Sequence, residues 1–197
     1  MTKVLYIKAN PKPDTESNTF KLANEFIDEY KRLNKEDEVK VLDLYKENVT
    51  FLDGEQLEKM FGGQDNIMIE YAKQFKEFDK YVFAAPMWNL SIPAILKAYF
   101  DYITYVGVTF NYTEQGPVGL LENKKAMHVV TRGGNYSEGP AASFELGDKY
   151  VRTILTFMGV KDISTLKLEN TNVLMGDELK QAINKAKEDA KKMAKEF

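Results

Sequence analysis

Two hydrophobic periods take turns along the chain. Lys3 to Ala9 (KVLYIKA) is a short apolar run that predicts a strand beginning almost at once. Asn10 to Thr19 is polar and carries Pro11 and Pro13, so it reads as a loop. Phe20, Ala23, Phe26, Ile27, Tyr30 and Leu33 then recur at helical spacing. Glu38 to Tyr45 (EVKVLDLY) alternates, as an outer strand should. Residues 46–56 read as loop, followed by a short helix ending near Gly62 and Gly63. Met68, Tyr71, Ala72, Phe75 and Phe78 mark the next helix, and Tyr81 to Ala85 (YVFAA) is apolar enough for the middle of a parallel sheet. That strand stops at Pro86, and a helix runs from about Pro93 to Val106. Residues 107–120 form a long aromatic, Gly-bearing connection. Lys125 to Thr131 (KAMHVVT) is a second central strand, and Arg132 to Ala141 is a Gly-rich loop. A helix from about Ala142 to Met158 stops at Gly159, Ile163 to Leu168 is an outer strand, and Leu179, Ala182, Ile183, Ala186, Ala190 and Met193 stripe the last helix.

Five strands alternating with helices predict an α/β fold: one parallel sheet with helices on both faces, in a single domain over 1–197. The natural order of five such units is 2-1-3-4-5. Its switch point lies between the first and third strands, and ligands bind beyond their carboxyl ends. That rule singles out three loops: 10–19, 86–91 and 131–140.

Composition narrows the chemistry those loops can do. With no Cys and one His in 197 residues, disulfides, thiol redox chemistry and Cys-ligated clusters are excluded, and a zinc site lacks its ligands. Redox chemistry here would need an organic cofactor. A net charge of −3 offers no general attraction to nucleic acid or anionic membrane, and no apolar run is long enough to span a bilayer. The N-terminus is too short in apolar residues for a signal peptide, so a cytoplasmic location is expected. Twelve Phe, eleven Tyr and one Trp are generous for this length, enough to line a pocket or interface as well as a core.

The first loop sets Asn10, Thr15, Ser17, Asn18 and Thr19 just ahead of a helix, whose N-terminus offers unpaired N–H groups and partial positive charge. This suits a phosphate monoester; plain N-capping by Ser17 or Asn18 explains the same residues. There is neither a Walker motif nor a GxGxxG. The second loop, Pro86-Met87-Trp88-Asn89-Leu90-Ser91, puts apolar surface at the mouth of the sheet, where a planar ring could cover it and Asn89 could meet its polar edge. The alternative is packing of Met87 and Trp88 under a neighbouring loop. The third, Thr131-Arg132-Gly133-Gly134-Asn135, lets backbone N–H groups approach a ligand closely, or is simply a tight turn. His128, inside a strand, reads as a core residue and not as the base of a hydrolase. The eight Met read as core filler.

At these loops the chain resembles the FMN-dependent NADH-azoreductases, which also act as quinone reductases. The matching segments are KVLYIKANP, Ser17-Asn18-Thr19, APMWN at 85–89, the stretch from Ile92-Pro93 to Asp101, GVTFNYTEQGPVGLL at 107–121 and TRGGNYSEGPAA at 131–142. The resemblance implies a flavodoxin-like three-layer fold, FMN as cofactor and a homodimer. It assigns Asn10, Ser17, Asn18 and Thr19 to the FMN phosphate. Pro86, Met87, Trp88, Asn89 and Leu90 fall to the isoalloxazine and ribityl chain, and Thr131, Arg132, Gly133 and Gly134 to the pyrimidine end. Tyr112, Asn135 and Tyr136 are the expected substrate-pocket residues. Family members often carry Ser where Asn10 stands, and some carry His in place of Tyr136, so substrate preference does not transfer. The implied reaction is ping-pong. NADH delivers a hydride to FMN and leaves, and a quinone or azo compound then takes two electrons in the same place, with no dedicated protein acid or base. A single-electron carrier of the flavodoxin type would need an exposed flavin edge, whereas 107–120 reads as a wall or lid over the ring. A hydrolase would need an activated nucleophile that the sequence lacks. The apolar circumference of the 93–106 helix (Ile95, Leu96, Tyr99, Phe100, Tyr102, Ile103, Tyr105, Val106) exceeds the one stripe a surface helix needs, so either the following loop or a second subunit must cover it.

Overall fold

The computed structural model describes residues 1–47, 49–62, 64 and 66–197. Five parallel strands form the central sheet: β1 (Lys3–Lys8), β2 (Glu38–Asp43), β3 (Lys80–Ala84), β6 (Lys125–Thr131) and β7 (Asp162–Leu168). They lie in the order β2-β1-β3-β6-β7, the expected 2-1-3-4-5 arrangement in a flavodoxin-like fold. Alternation within each strand assigns the two faces. Leu5, Ile7, Tyr81 and Phe83 point to one face, and Val4, Tyr6, Val82 and Ala84 to the other. The central strands bury both sets, which is why β3 reads as a continuous apolar run, while the edge strand β2 leaves Glu38 and Lys40 in solvent.

Helices α3 (Ile67–Glu77), α4 (Ala94–Ile103) and α5 (Gly147–Phe157) cover the first face. Its core is aromatic: Phe75 stacks on Tyr81 with centroids 4.0 Å apart, and the Tyr81 hydroxyl donates to the carbonyls of Phe75 (2.9 Å) and Phe78 (3.1 Å), closing the end of α3. On the second face lie α1 (Asn18–Leu33) and α6 (Gly176–Glu196). Ala186, Ala190 and Ala194 recur every four residues on α6, and their small side chains let it settle closely beside Phe26 and Tyr30. Fully burying a large apolar side chain is worth roughly 1.5–3 kcal/mol, so these two layers hold the sheet.

Several elements depart from the sequence pattern. The short helix α2 is Gly54–Phe61, capped by Asp53 and Gln56; of its expected end, Gly63 lies outside the described residues. The 107–120 connection folds as an antiparallel hairpin, β4 (Phe110–Thr113) and β5 (Gly116–Gly119). Its Phe110 packs on Phe157 near the C-terminal end of α5 (centroids 4.7 Å), at the opposite end of the sheet from the strand-end loops. It is therefore not a lid over the carboxyl edge of its own chain. The expected helix over 142–158 is broken: a short 3-10 turn (Pro140–Phe144) precedes α5, which starts at Gly147 because Glu145 accepts hydrogen bonds from the backbone of Asp148 (2.8 Å) and Lys149 (3.2 Å). Leu96, Tyr99, Phe100, Tyr102 and Ile103 of α4 are buried within the one chain, as is Tyr105 beyond it, so most of the expected apolar circumference is covered without a second subunit; Ile95 is half-buried and Val106, past the end of α4, is exposed. No helix among the described residues is long and apolar enough to cross a membrane, and no group of three His, Cys, Asp or Glu among them could hold a metal.

The hairpin is seated by backbone-to-backbone approach. A Cβ built on Gly119 would lie 2.2 Å from the nitrogen of Gly159. Gly119→Ala should therefore lower stability by about 1–3 kcal/mol, the usual cost of overpacking. Urea denaturation measures this, and an unchanged midpoint would mean that the hairpin is held elsewhere.

Candidate functional site

The carboxyl edge of the sheet carries two adjoining cavities. One, of about 340 Å³, is bordered by Asn10, Ser17, Asn18, Thr19 and Thr131. The other, of about 550 Å³, is bordered by Asn89, Leu90 and Tyr136. Met87, Trp88, Gly133 and Asn172 border both, so the two form one crevice with a polar end and an aromatic end. Pro86 lies along the polar end.

At the polar end α1 begins. Ser17 is its N-cap, in extended backbone, and its Oγ accepts from the Phe20 N–H (3.2 Å) and from Asn10 Nδ2 (3.1 Å). Capping and cavity lining thus coincide in Ser17. The first N–H groups of a helix have no partner inside it; with Phe20 served by Ser17, those of Asn18 and Thr19 remain for a ligand. Thr19 and Thr131 share a hydrogen bond of 2.6 Å between their hydroxyls, which ties this helix start to the end of β6. Behind them Lys8, nearly buried at the end of β1, pairs with Asp14 and sits 4.2 Å above the ring of Phe20. The hydrogen bond from Lys8 holds the Asp14 carboxyl below its ordinary value. The start of α1 and Lys12 bring positive charge to this end of the crevice, with Glu16 on the same border.

At the aromatic end, residues 88–91 make a two-residue hairpin: Trp88 N donates to Ser91 O (2.9 Å) and Ser91 N to Trp88 O (3.0 Å). Both central residues have positive φ, Asn89 at 47° and Leu90 at 71°. Asn tolerates this backbone; a leucine pays about 1–2 kcal/mol for it. Trp88 is 39% exposed and Leu90 37%, so apolar surface is presented at the mouth of the sheet and not packed beneath a loop. Backbone strain and exposed apolar surface thus coincide at one turn, as they do at functional sites.

The third loop is threaded against residues that the sequence pattern did not single out. Asn172 donates its backbone N–H to Gly133 O (3.0 Å) and Thr171 to Arg132 O (3.0 Å). A Cβ on Gly133 would lie 2.5 Å from Asn172 Nδ2, so any other residue here would make the Asn172 amide swing aside. Thr171 and Asn172 follow β7, an edge strand outside the switch point; the signal was the polar run Glu169-Asn170-Thr171-Asn172 at another carboxyl strand end. The side chain of Arg132 turns away from both cavities. It is 4% exposed and meets Glu169 (3.1 Å) and Glu145 (3.2 Å). Gly134 borders neither cavity, and Asn135 is exposed, its side chain accepting from Ser137 N (3.1 Å). Tyr112, on the hairpin, lies in a separate apolar groove of about 420 Å³ with Phe110, Tyr150, Ile154 and Phe157.

His128 is a buried strand residue, as its place in the sequence suggests, with Nδ1 2.8 Å from Asp148 Oδ1. Asp148 also accepts from Arg152 Nε (2.7 Å) and Thr165 Oγ1 (2.8 Å). Burial pushes the Asp148 carboxyl up, but these three partners outweigh it and hold it well below the ordinary carboxylate range.

Family comparison agrees with the architecture. A family model described as a flavodoxin-like fold matches residues 2–194. A protein of Clostridium perfringens named FMN-dependent NADH:quinone oxidoreductase is 53% identical over 202 residues and covers all of both chains. One of the same name from Lachnoclostridium phytofermentans is 54% identical with equal coverage. Among solved structures, an azoreductase of Bacillus anthracis superposes with a TM-score of 0.93 at 39% identity over all of both chains. An FMN-dependent NADH-azoreductase of the same organism, in complex with FMN, gives 0.86 at 32% identity over 98% of this chain and 100% of its own.

The Asp148 cluster yields a pH prediction. A carboxylate lowered by folding stabilises the native state at pH above its unfolded value, about 4, and that stability is lost as pH falls through the lower folded value. The melting temperature should therefore fall on acidification below about pH 4. Asp148→Asn should melt lower at pH 7 and show a flatter acid limb; parallel curves for the two proteins would remove Asp148 from the acid response.

Proposed function

The chain belongs to the flavodoxin-like family over residues 2–194, and on that premise we propose that it is an FMN-dependent enzyme that transfers a hydride from NADH to quinones, with azo compounds as further acceptors. The observation that carries this reading is the crevice: a polar end at a helix start joined to an open aromatic end at the switch point. A terminal phosphate monoester suits the first, through the free N–H groups of Asn18 and Thr19 with Asn10 and Ser17 beside them. A planar ring suits the second, between the Met87–Leu90 wall and the Gly133 backbone. The combined space is of the size that holds a cofactor of this kind.

FMN supplies hydride acceptance and two-electron donation; the chain binds, orients and shields it. Asn89, on a turn whose backbone is fixed by two hydrogen bonds, offers both a donor and an acceptor to a heteroaromatic edge. Trp88 and Leu90, exposed at the crevice, would keep water from one side of it. Nicotinamide and acceptor both have to enter through the aromatic end, so they take turns, and the kinetics are ping-pong. A quinone consumes one NADH and one proton to give a hydroquinone; complete cleavage of an azo bond to two amines consumes two NADH and two protons. Tyr136, at the open end, and Asn135 beside it would face the acceptor. Arg132 serves through its backbone and its ion pairs, not through a side chain in the crevice.

A homodimer belongs to the same reading. Its support is the groove around Tyr112, Tyr150 and Phe157 together with Phe144 (54% exposed) and Leu146 (46% exposed) near the crevice, and not the helix α4, which its own chain covers. Two-fold pairing would bury such a patch against its copy and bring Tyr112 within reach of the partner's crevice.

The purified protein should be yellow or take up one FMN per chain, and FMN should bind far more tightly than FAD; equal affinity would remove the monoester role of residues 17–19. Asn89→Ala should weaken FMN binding or turnover by about tenfold while leaving the fold intact, the loss of one hydrogen-bonding side chain. Initial rates with NADH and a quinone should give parallel double-reciprocal lines, and intersecting lines would reject the ping-pong order. Sedimentation at low micromolar concentration should find a dimer, and a fully active monomer would reject it.

A further inference from the structure

Glu169 borders neither cavity, and the flavin reading leaves it without a task. Yet it stands one residue past β7 with its side chain only 14% exposed. Its Oε1 accepts from the backbone N–H of Tyr136 (2.8 Å) and from Arg132 Nη1 (3.1 Å), and its Oε2 accepts from Ser137 Oγ (2.7 Å). The first part of the loop it grips is held by the segment after β7, the Arg132 carbonyl accepting from the Thr171 N–H (3.0 Å), and Ser137 also accepts from Lys167 Nζ. Gly133 and Gly134 carry no side chains, and their carbonyls accept from Asn172 (3.0 Å) and Asn170 (3.2 Å). Glu169 is the tie on the far side, at Tyr136.

Arg132 explains why the tie carries a charge. Its buried guanidinium rests between Glu169 and Glu145, and its Nε has no partner. Such a group stays buried only while its counter-charges stay in place. Burial pushes the Glu169 carboxyl up, but the bonds from Ser137, Tyr136 and Arg132 outweigh it and keep it below its ordinary value.

We infer that Glu169 is a positioning residue: anchored by Arg132, its carboxylate sets the path of the Gly133–Tyr136 backbone along the aromatic end of the crevice, and so governs affinity for the ring of the flavin and not for its phosphate. The inference rests on the FMN reading of the crevice. The role is preorganisation, since a loop already held in its bound path loses less entropy when the ligand arrives.

The test titrates stripped protein with FMN and with riboflavin, which lacks the phosphate, following flavin fluorescence, and melts each variant without ligand. Glu169→Ala should weaken both ligands by a similar factor, about ten- to hundredfold, so that their ratio is kept. Ser17→Ala should weaken FMN alone and change the ratio. Glu169→Gln keeps an acceptor for Tyr136 but not the charge facing Arg132, so it should melt lower than wild type yet hold both flavins within about threefold. Should Glu169→Ala fail to melt cooperatively, Glu169→Asp, which withdraws the carboxylate by one methylene, carries the same expectation. Unchanged affinities in Glu169→Ala, a changed ratio, or Glu169→Gln binding no better than Glu169→Ala would overturn the inference. A wild type that binds neither flavin would instead overturn the FMN reading beneath it.

Discussion

Parallel strands can be joined only by crossovers, so every strand of this sheet ends at the same edge and every helix of the crossovers starts from there. That constraint organises the whole molecule. It stacks the loops after β1, β3, β6 and β7 side by side, and it points the positive end of α1 into the space they share. The reversal of strand order between β1 and β3 parts the crossovers to opposite faces and leaves the crevice open. Neither the polar end nor the aromatic end of the crevice is long-range engineering; each is a short loop held where the sheet had to end.

Behind the crevice the chain gives its buried basic side chains partners. Lys8 meets Asp14, Arg132 meets Glu145 and Glu169, and His128 meets Asp148, which also serves Arg152. Each group joins different elements: β1 to the loop after it, the end of β6 to the start of α5 and the segment after β7, and β6 again to α5, where Asp148 also pairs with Arg152 of its own helix. A pair of this kind adds little net stability against an apolar replacement, but losing one partner is costly. Its value here is geometric: it fixes the relative placing of β1 and its loop, of β6 and β7, and of α5 on the sheet.

The sheet was legible because burial on two faces leaves an unmistakable mark: β3 reads YVFAA and β6 reads KAMHVVT, and no helix of this fold needs such runs. The three switch-point loops were legible because the order of strands implies them. What escaped was tertiary. The hairpin at 110–119 hid behind Gly116, Pro117 and Gly119, residues that read as loop, because its strands pair with each other and its seat is a glycine contact with Gly159. The start of α5 moved because one carboxylate, Glu145, caps two N–H groups, which no periodicity reports. The wide apolar girth of α4 suggested a partner subunit, but the aromatic residues Tyr71, Phe75 and Tyr150 of its own chain already meet it. Arg132 drew notice as a neighbour of the paired glycines, yet its side chain faces inward, a direction that only the carboxylates at 145 and 169 decide.

The left-handed turn at Asn89 and Leu90 has a consequence for anyone who sets out to harden this protein by laboratory evolution. Glycine fits a positive φ without strain, so selection for heat resistance alone favours its entry at position 90. The same exchange strips an exposed isobutyl group from the mouth of the crevice. If the proposed ring rests there, a screen that rewards rigidity and a screen that rewards turnover would pull this one position in opposite directions, and a library judged on survival at high temperature would drift toward sturdy proteins whose crevice has lost its apolar rim.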